Sequence, residues 1–166
     1  MNLSDWLRNG WLVEHKTSRE EISDLLALVE RDLGESQAEG LSPDWRLAIS
    51  YNSALQAATA ALVASGYRAA RDVYHYRTIQ SLAFTIGAKP DLVAQFDAFR
   101  KKRNVSGYLR SGSVSSREAK EMFELAGPLT RRSRLGLKRT IPSFLRNEDR
   151  PIAPLKPRPL TGIRQE

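Results

Sequence analysis

Ser42–Gly66, SPDWRLAISYNSALQAATAALVASG, is the stretch on which the fold turns. Ser42 offers a side-chain acceptor to a helix start, and Pro43 occupies the first turn, where a missing N–H costs nothing. From Asp44 to Ser65 the segment is rich in alanine, at Ala48, Ala54, Ala57, Ala58, Ala60, Ala61 and Ala64, and Gly66 supplies a stop. Small residues on most faces let neighbouring helices approach closely. The segment predicts the central helix of a bundle.

Downstream lies Asp91–Arg110, DLVAQFDAFRKKRNVSGYLR. Leu92, Phe96 and Phe99 are spaced four and three apart, and the next step of four lands on Arg103. At about 100° per residue these four fall within roughly 60° of one another. Arg103 therefore extends a buried stripe, and a guanidinium there needs a partner or has a job.

Around these two stretches the pattern is helical throughout. Leu3 to Leu12 predicts a short helix with Ser4 as cap. Thr17-Ser-Arg-Glu20 matches a capping box, and Ile22, Leu25, Leu26, Val29 and Leu33 form an i, i+3, i+4, i+7, i+11 stripe that Gly34 ends. Tyr67 to Ile86 predicts a further helix, and Lys89-Pro90 starts the helix that carries Arg103. After a Val105–Ser113 loop, Ser115-Ser-Arg-Glu118 offers a second capping box to a last helix, with Ala119, Met122, Phe123 and Ala126 inward. Gly127-Pro128 is its predicted stop, although Leu129–Thr140 can prolong it despite Gly136. No alternation of strand period appears. The expected fold is an all-α bundle of four to five helices over residues 1–127, followed by a basic, Pro-rich C-terminal arm over 128–166.

Charge draws that boundary. The net charge is +7; residues 1–127 hold 16 basic and 16 acidic residues, and residues 128–166 hold 10 and 3, with six of the eight prolines. Pro151–Pro159 favours extended conformations. The chain has no cysteine and thus no disulfide or thiolate metal site. No apolar run reaches the roughly 18 residues of a membrane span, and the N-terminus does not read as a signal peptide. A cytoplasmic protein without membrane association is expected. No pair of His and carboxylates has metal-ligand spacing and no GxGxxG or Walker pattern occurs, so no metal and no cofactor are predicted.

Several pieces resemble the HEPN superfamily of small helical bundles, in its bacterial branch. They are the Ala-rich helix running into Gly66-Tyr67-Arg68, His75 beyond it, and the Phe-containing helix with Arg103-Asn104. Tyr108 follows, then a Ser-capped helix with Glu118, Ala119 and Glu121. The likeness covers roughly residues 15–127. HEPN proteins that cut RNA do so as dimers without metal, with an Arg holding the phosphate and a His aiding attack by the 2′-hydroxyl. By this resemblance Arg103 takes the Arg place, Asn104 the polar place, and Tyr108 stands where the His is expected. A tyrosine with an ordinary pKa near 10 is a poor base at neutral pH, though it can donate a hydrogen bond.

Two functions follow as expectations. The first is an RNA-directed, HEPN-like protein: a metal-independent ribonuclease toxin of a toxin–antitoxin or defence system, or a degenerate relative, acting as a homodimer. Its site residues are Arg103, Asn104, Tyr108 and the auxiliary His75. Arg100, Lys101 and Lys102, with Arg131, Arg132, Arg134, Lys138 and Arg139 of the arm, would hold the anionic backbone. The second is a non-catalytic adaptor whose arm, with apolar anchors Ile152, Leu155, Leu160 and Ile163, binds an antitoxin, another protein partner or nucleic acid. Each residue also has a plainer reading. Arg103-Asn104 serves as a helix C-terminal cap, 100–102 as a solvated face, Tyr108 as a packing ring and His75 as a structural hydrogen-bonder. His15 has no evident neighbours in the sequence.

Overall fold

Helix α3, Pro43–Ala64, runs through the middle of the protein. The computed structural model describes residues 1–108 and 111–140, with the backbone alone described at 105–108 and 138–140. Before α3 come α1 (Leu3–Arg8), β1 (Leu12–Glu14) and α2 (Arg19–Glu35). After it come β2 (Tyr67–Ala69), α4 (Tyr74–Gln80), α5 (Leu82–Thr85), α6 (Pro90–Tyr108) and α7 (Ser116–Thr140). The Ser42 hydroxyl accepts from the Trp45 N–H at 3.3 Å, and Gly66 turns the chain at φ +89°, as the sequence predicts.

Alanines let α3 pack on nearly all sides, most extensively against α2 and α7. Leu47, Tyr51, Ala54, Leu55 and Ala58 join Phe96 and Phe99 of α6 and Ala119, Met122, Leu125 and Leu129 of α7 in the main core. Ala60 and Val63, towards the other end of α3, join Ile22 and Leu26 of α2 and Leu137 of α7. These pairings set α2 antiparallel and α7 parallel to α3. By length and composition α3 alone among the described helices could cross a membrane, but 72% of its apolar window is buried by the other elements.

The fold is mostly helical, with four long helices, α2, α3, α6 and α7. Several boundaries differ from the expectation. Residues 67–69 are not helical: β2 pairs antiparallel with β1 in the register Leu12↔Ala69, Val13↔Arg68 and Glu14↔Tyr67. Trp6, Leu12, Leu62 and Ala69 form a small core beneath this ribbon. Three-residue strands are too short to show alternation, and their partner lies more than fifty residues away. Asn2, not Ser4, caps α1, with Asp5 completing a capping box. Ser18, not Thr17, caps α2. Gly34 lies inside α2, which ends at Glu35 with Ser36 as cap. The second capping box stands as read: the Glu118 N–H donates to Ser115 Oγ at 3.1 Å, and the Ser115 N–H to Glu118 Oε2 at 2.8 Å.

Two corrections bear on function. Helix α6 continues to Tyr108, so the predicted loop begins later and Asn104 is a helix-interior residue, not a C-terminal cap. Helix α7 does not stop at Gly127-Pro128; it continues to Thr140, with Pro128 inside it. Leu129, Ser133 and Leu137 are buried beyond that point, and this burial holds the helix together across the missing Pro128 N–H. At Gly136 an added Cβ would lie 3.3 Å from Ile86 Cγ2, so the glycine allows α7 to pass close to the end of α5.

Candidate functional site

Tyr51 of α3, His75 of α4 and Arg103 of α6 converge from three helices. The Tyr51 Oη and His75 Nδ1 are 3.1 Å apart, and the Arg103 Cζ lies 5.8 Å from the centroid of the Tyr51 ring. Tyr51 is 1% exposed, and Phe96 meets its ring edge to face at 5.5 Å. His75 and Arg103 are half-buried at the rim. The apolar stripe of α6 delivers the arginine as its spacing predicts: Phe96 and Phe99 are buried, Leu92 is half-buried against the core, and Arg103 follows over Tyr51.

The electrostatics follow from this packing. Burial, then the charges of Arg103 and Arg100, push the His75 pKa below its ordinary value, so its ring is neutral at pH 7. Burial drives the Tyr51 phenol far above its ordinary pKa, against the opposing pull of Arg103 and Arg100, and Asp97 adds to the rise. The phenol therefore keeps its proton.

The cations next to Arg103 are partly committed. Arg100 Nε lies 2.7 Å from Asp97 Oδ1, and its Cζ lies 5.6 Å from the Tyr76 ring centroid. Lys101 Nζ lies 3.2 Å from Asp97 Oδ2, and Lys102 Nζ lies 3.1 Å from Glu118 Oε1. Burial raises the Asp97 pKa, but hydrogen bonds from Arg100 and Lys101, with their charges, bring it below the usual range. Asn104 is exposed on the helix surface. Tyr108 is the last residue of α6, and its side chain lies outside the described residues.

Among the described residues, no contact joins the arm's cations to this site. Arg131 and Arg132 are exposed on α7, and Arg134 is paired with Glu30 of α2. Leu137, on the next turn, packs with Ala60 and Val63. On α3, Ala60 is nine residues from Tyr51, about 13 Å along the axis. The side chains of Lys138 and Arg139 lie outside the described residues, as do residues 141–166 with the apolar anchors. Arg132 instead borders an open groove of about 380 Å³ between the start of α6 and α7, which Lys89, Gln95, Glu121 and Glu124 also line.

Tyr51 and Asp97 do not stand out in the sequence, yet both shape the site. The available signal was the polar run Ser50-Tyr-Asn-Ser53 inside an otherwise apolar helix, since buried polar groups must find partners. Asn52 donates to the buried Asp32, and Ser53 donates to the Val29 carbonyl at 2.8 Å. His15 likewise has neighbours that the sequence hides: its Nε2 lies 2.7 Å from Glu21 Oε2.

No protein-family model matches the chain, and no curated protein matches it.

Proposed function

We propose that the chain is a HEPN-like, RNA-directed protein in which Arg103 and His75 form the working pair, and that it acts as a metal-independent ribonuclease toxin of a toxin–antitoxin or defence system, or as a degenerate relative of one. The observation that carries this reading is the convergence of the Arg103 guanidinium and a neutral histidine over the buried Tyr51. A guanidinium offers forked donors matched to phosphate oxygens, and a half-buried rim strengthens that attraction over the value in bulk water. Asn104, exposed on the same helix, orients the phosphate, and Tyr108 donates to the reacting groups from the helix end. His75 takes the place beside Arg103 that the resemblance gives to a histidine. A homodimer would set two such sites against one another.

The test is incubation of the purified chain with single-stranded RNA in the presence of a metal chelator. Cleavage is expected, with Arg103→Ala and His75→Ala each reducing the rate at least 100-fold, in line with the loss of a positioned phosphate or transition-state contact. RNA left intact by the wild type, or cut equally well by Arg103→Ala, sinks the proposal. Light scattering reads the dimer.

The adaptor reading is favoured by a separate observation: Arg131 and Arg132 are exposed on α7, and the whole charge excess lies in residues 128–166. It is tested by removing residues 141–166, which leaves α7 whole. Undiminished co-purification of a partner with the shortened chain removes the arm from recognition.

A further inference from the structure

The ring nitrogens of His75 are not equivalent. Nδ1 faces the Tyr51 hydroxyl at 3.1 Å, whereas Nε2 makes no hydrogen bond to any described residue, on a side chain that is half-buried. The Tyr51 hydroxyl is buried, and Nδ1 is its hydrogen-bond partner among the described residues. Two proton arrangements are conceivable. If Nδ1 carried the proton and donated to Tyr51, the phenolic proton would be left in the core without an acceptor. If the phenol donates to Nδ1, both groups are satisfied and the imidazole proton sits on Nε2. Burying an unsatisfied donor is costly enough to shift the ratio by about tenfold or more.

We propose that Tyr51 is a positioning residue that locks His75 as the Nε2–H tautomer, so that His75 offers one hydrogen-bond donor, Nε2–H, to a non-bridging oxygen of a phosphodiester. The ligand class rests on the RNA-directed reading given above. In this arrangement His75 does not take the proton of the 2′-hydroxyl, because its only basic nitrogen is occupied by Tyr51. Nor does it surrender one, because a neutral imidazole losing its Nε2 proton would become an anion. It donates a hydrogen bond to charge that grows on the phosphoryl oxygen, a role that needs no proton transfer at that residue.

The groups around the pair are consistent with a ring that stays neutral. Helix α3 contributes the protonated Tyr51, α4 contributes Tyr74 and Tyr76, and α6 contributes Arg100 and Arg103, with Asp97 held by Arg100 and Lys101. Among the described residues, the charges that act on His75 are those of the Arg103 and Arg100 guanidiniums, which oppose an imidazolium. Activity that depended on His75 as a base would fall with acid through the titration of that ring. A donor works in either charge state, so the profile has no His75 limb.

The test is long-range ¹H–¹⁵N spectroscopy of the full chain uniformly labelled with ¹⁵N, as wild type and Tyr51→Phe, alone and with a 2′-deoxy oligonucleotide that cannot be cleaved. The wild type is expected to show a pyrrole-like Nε2 and a pyridine-like Nδ1 at neutral pH, and the oligonucleotide should move the Nε2 signal. Tyr51→Phe should mix the tautomers, and should lower kcat for RNA cleavage about tenfold with KM unchanged. A protonated Nδ1 in the wild type, or an unchanged tautomer ratio in Tyr51→Phe, overturns the lock. An oligonucleotide that leaves Nε2 unmoved overturns the donor role. The wild-type spectrum decides the tautomer even where the variant fails to fold. A protein that shows the Nε2–H form but leaves RNA intact defeats the ribonuclease reading and leaves the lock standing.

Discussion

His15 Nε2 lies 2.7 Å from Glu21 Oε2, and through that carboxylate the first strand is fastened to the start of α2 and to the second strand. Thr17 donates to the same oxygen at 2.9 Å, and Arg68 of β2 pairs with Oε1. Burial raises the Glu21 pKa, but hydrogen bonds from His15, Thr17 and Arg68, with the Arg68 charge, outweigh it and hold the group at about 2 against an ordinary 4.5. A depressed carboxyl contributes stability that is fully present above its unfolded pKa and is lost as pH falls through the folded one. Glu21→Gln is therefore expected to cost about 2 kcal/mol at neutral pH. Urea unfolding of both proteins between pH 6 and pH 2 checks this, and the gap between the curves should close from about pH 4.5 downward.

Truncation separates the compositional boundary from the structural one. Leu129 and Leu137 are buried, at 0% and 3% exposure, in two different cores. A chain ending at residue 127 loses both, and each large buried aliphatic side chain is worth about 2–5 kcal/mol. That chain should be largely unfolded by circular dichroism at 25 °C, whereas one ending at residue 140, which keeps Leu129 and Leu137, should retain its helical signal.

Val73 adopts φ +51° immediately before α4, a left-handed conformation that a β-branched side chain tolerates poorly. Its side chain is 61% exposed, so little packing is lost on removing it. Val73→Gly is expected to stabilise the protein by about 1 kcal/mol, read as a rise in melting temperature. No gain would show that contacts of the valine outweigh the strain.

Asp32 is 4% exposed, in α2, and accepts hydrogen bonds from Asn52 of α3 and from Arg31. Asn52→Ala removes the interhelical donor and leaves a buried carboxylate short of a partner. The expected cost is about 2 kcal/mol in urea unfolding, with Asn52→Asp worse because it sets two carboxylates together.

Much of the helical frame was legible because it rests on local chemistry. Ser42-Pro43, Gly66 and Ser115 with Glu118 act within one turn of chain, and the step from Phe99 to Arg103 is a matter of helical period. What escaped depends on partners far away in sequence. Tyr67–Ala69 becomes a strand because Leu12–Glu14 lies beside it, overriding an aromatic and basic run that suited a helix. Gly127-Pro128 fails to stop α7 because Leu129 and Leu137 reach cores that Ala60, Val63 and Met122 help to build. The site was half legible for the same reason. Arg103 announced itself through spacing, whereas the bond between Tyr51 and His75 joins residues 24 positions apart.

Helix α7 passes unbroken from the charge-neutral bundle into the first cations of the basic segment, so those cations and the folded core share one helix. Arg131 and Arg132 stand on the same turns that place Leu129 and Ser133 in the core. A polyanion that grips those arginines only when α7 is formed draws the equilibrium towards the folded state by mass action, with a gain set by its concentration relative to its dissociation constant. Salt, which weakens that grip, withdraws the gain. For a chain that binds a polyanion in this way, thermal stability would gauge its occupancy.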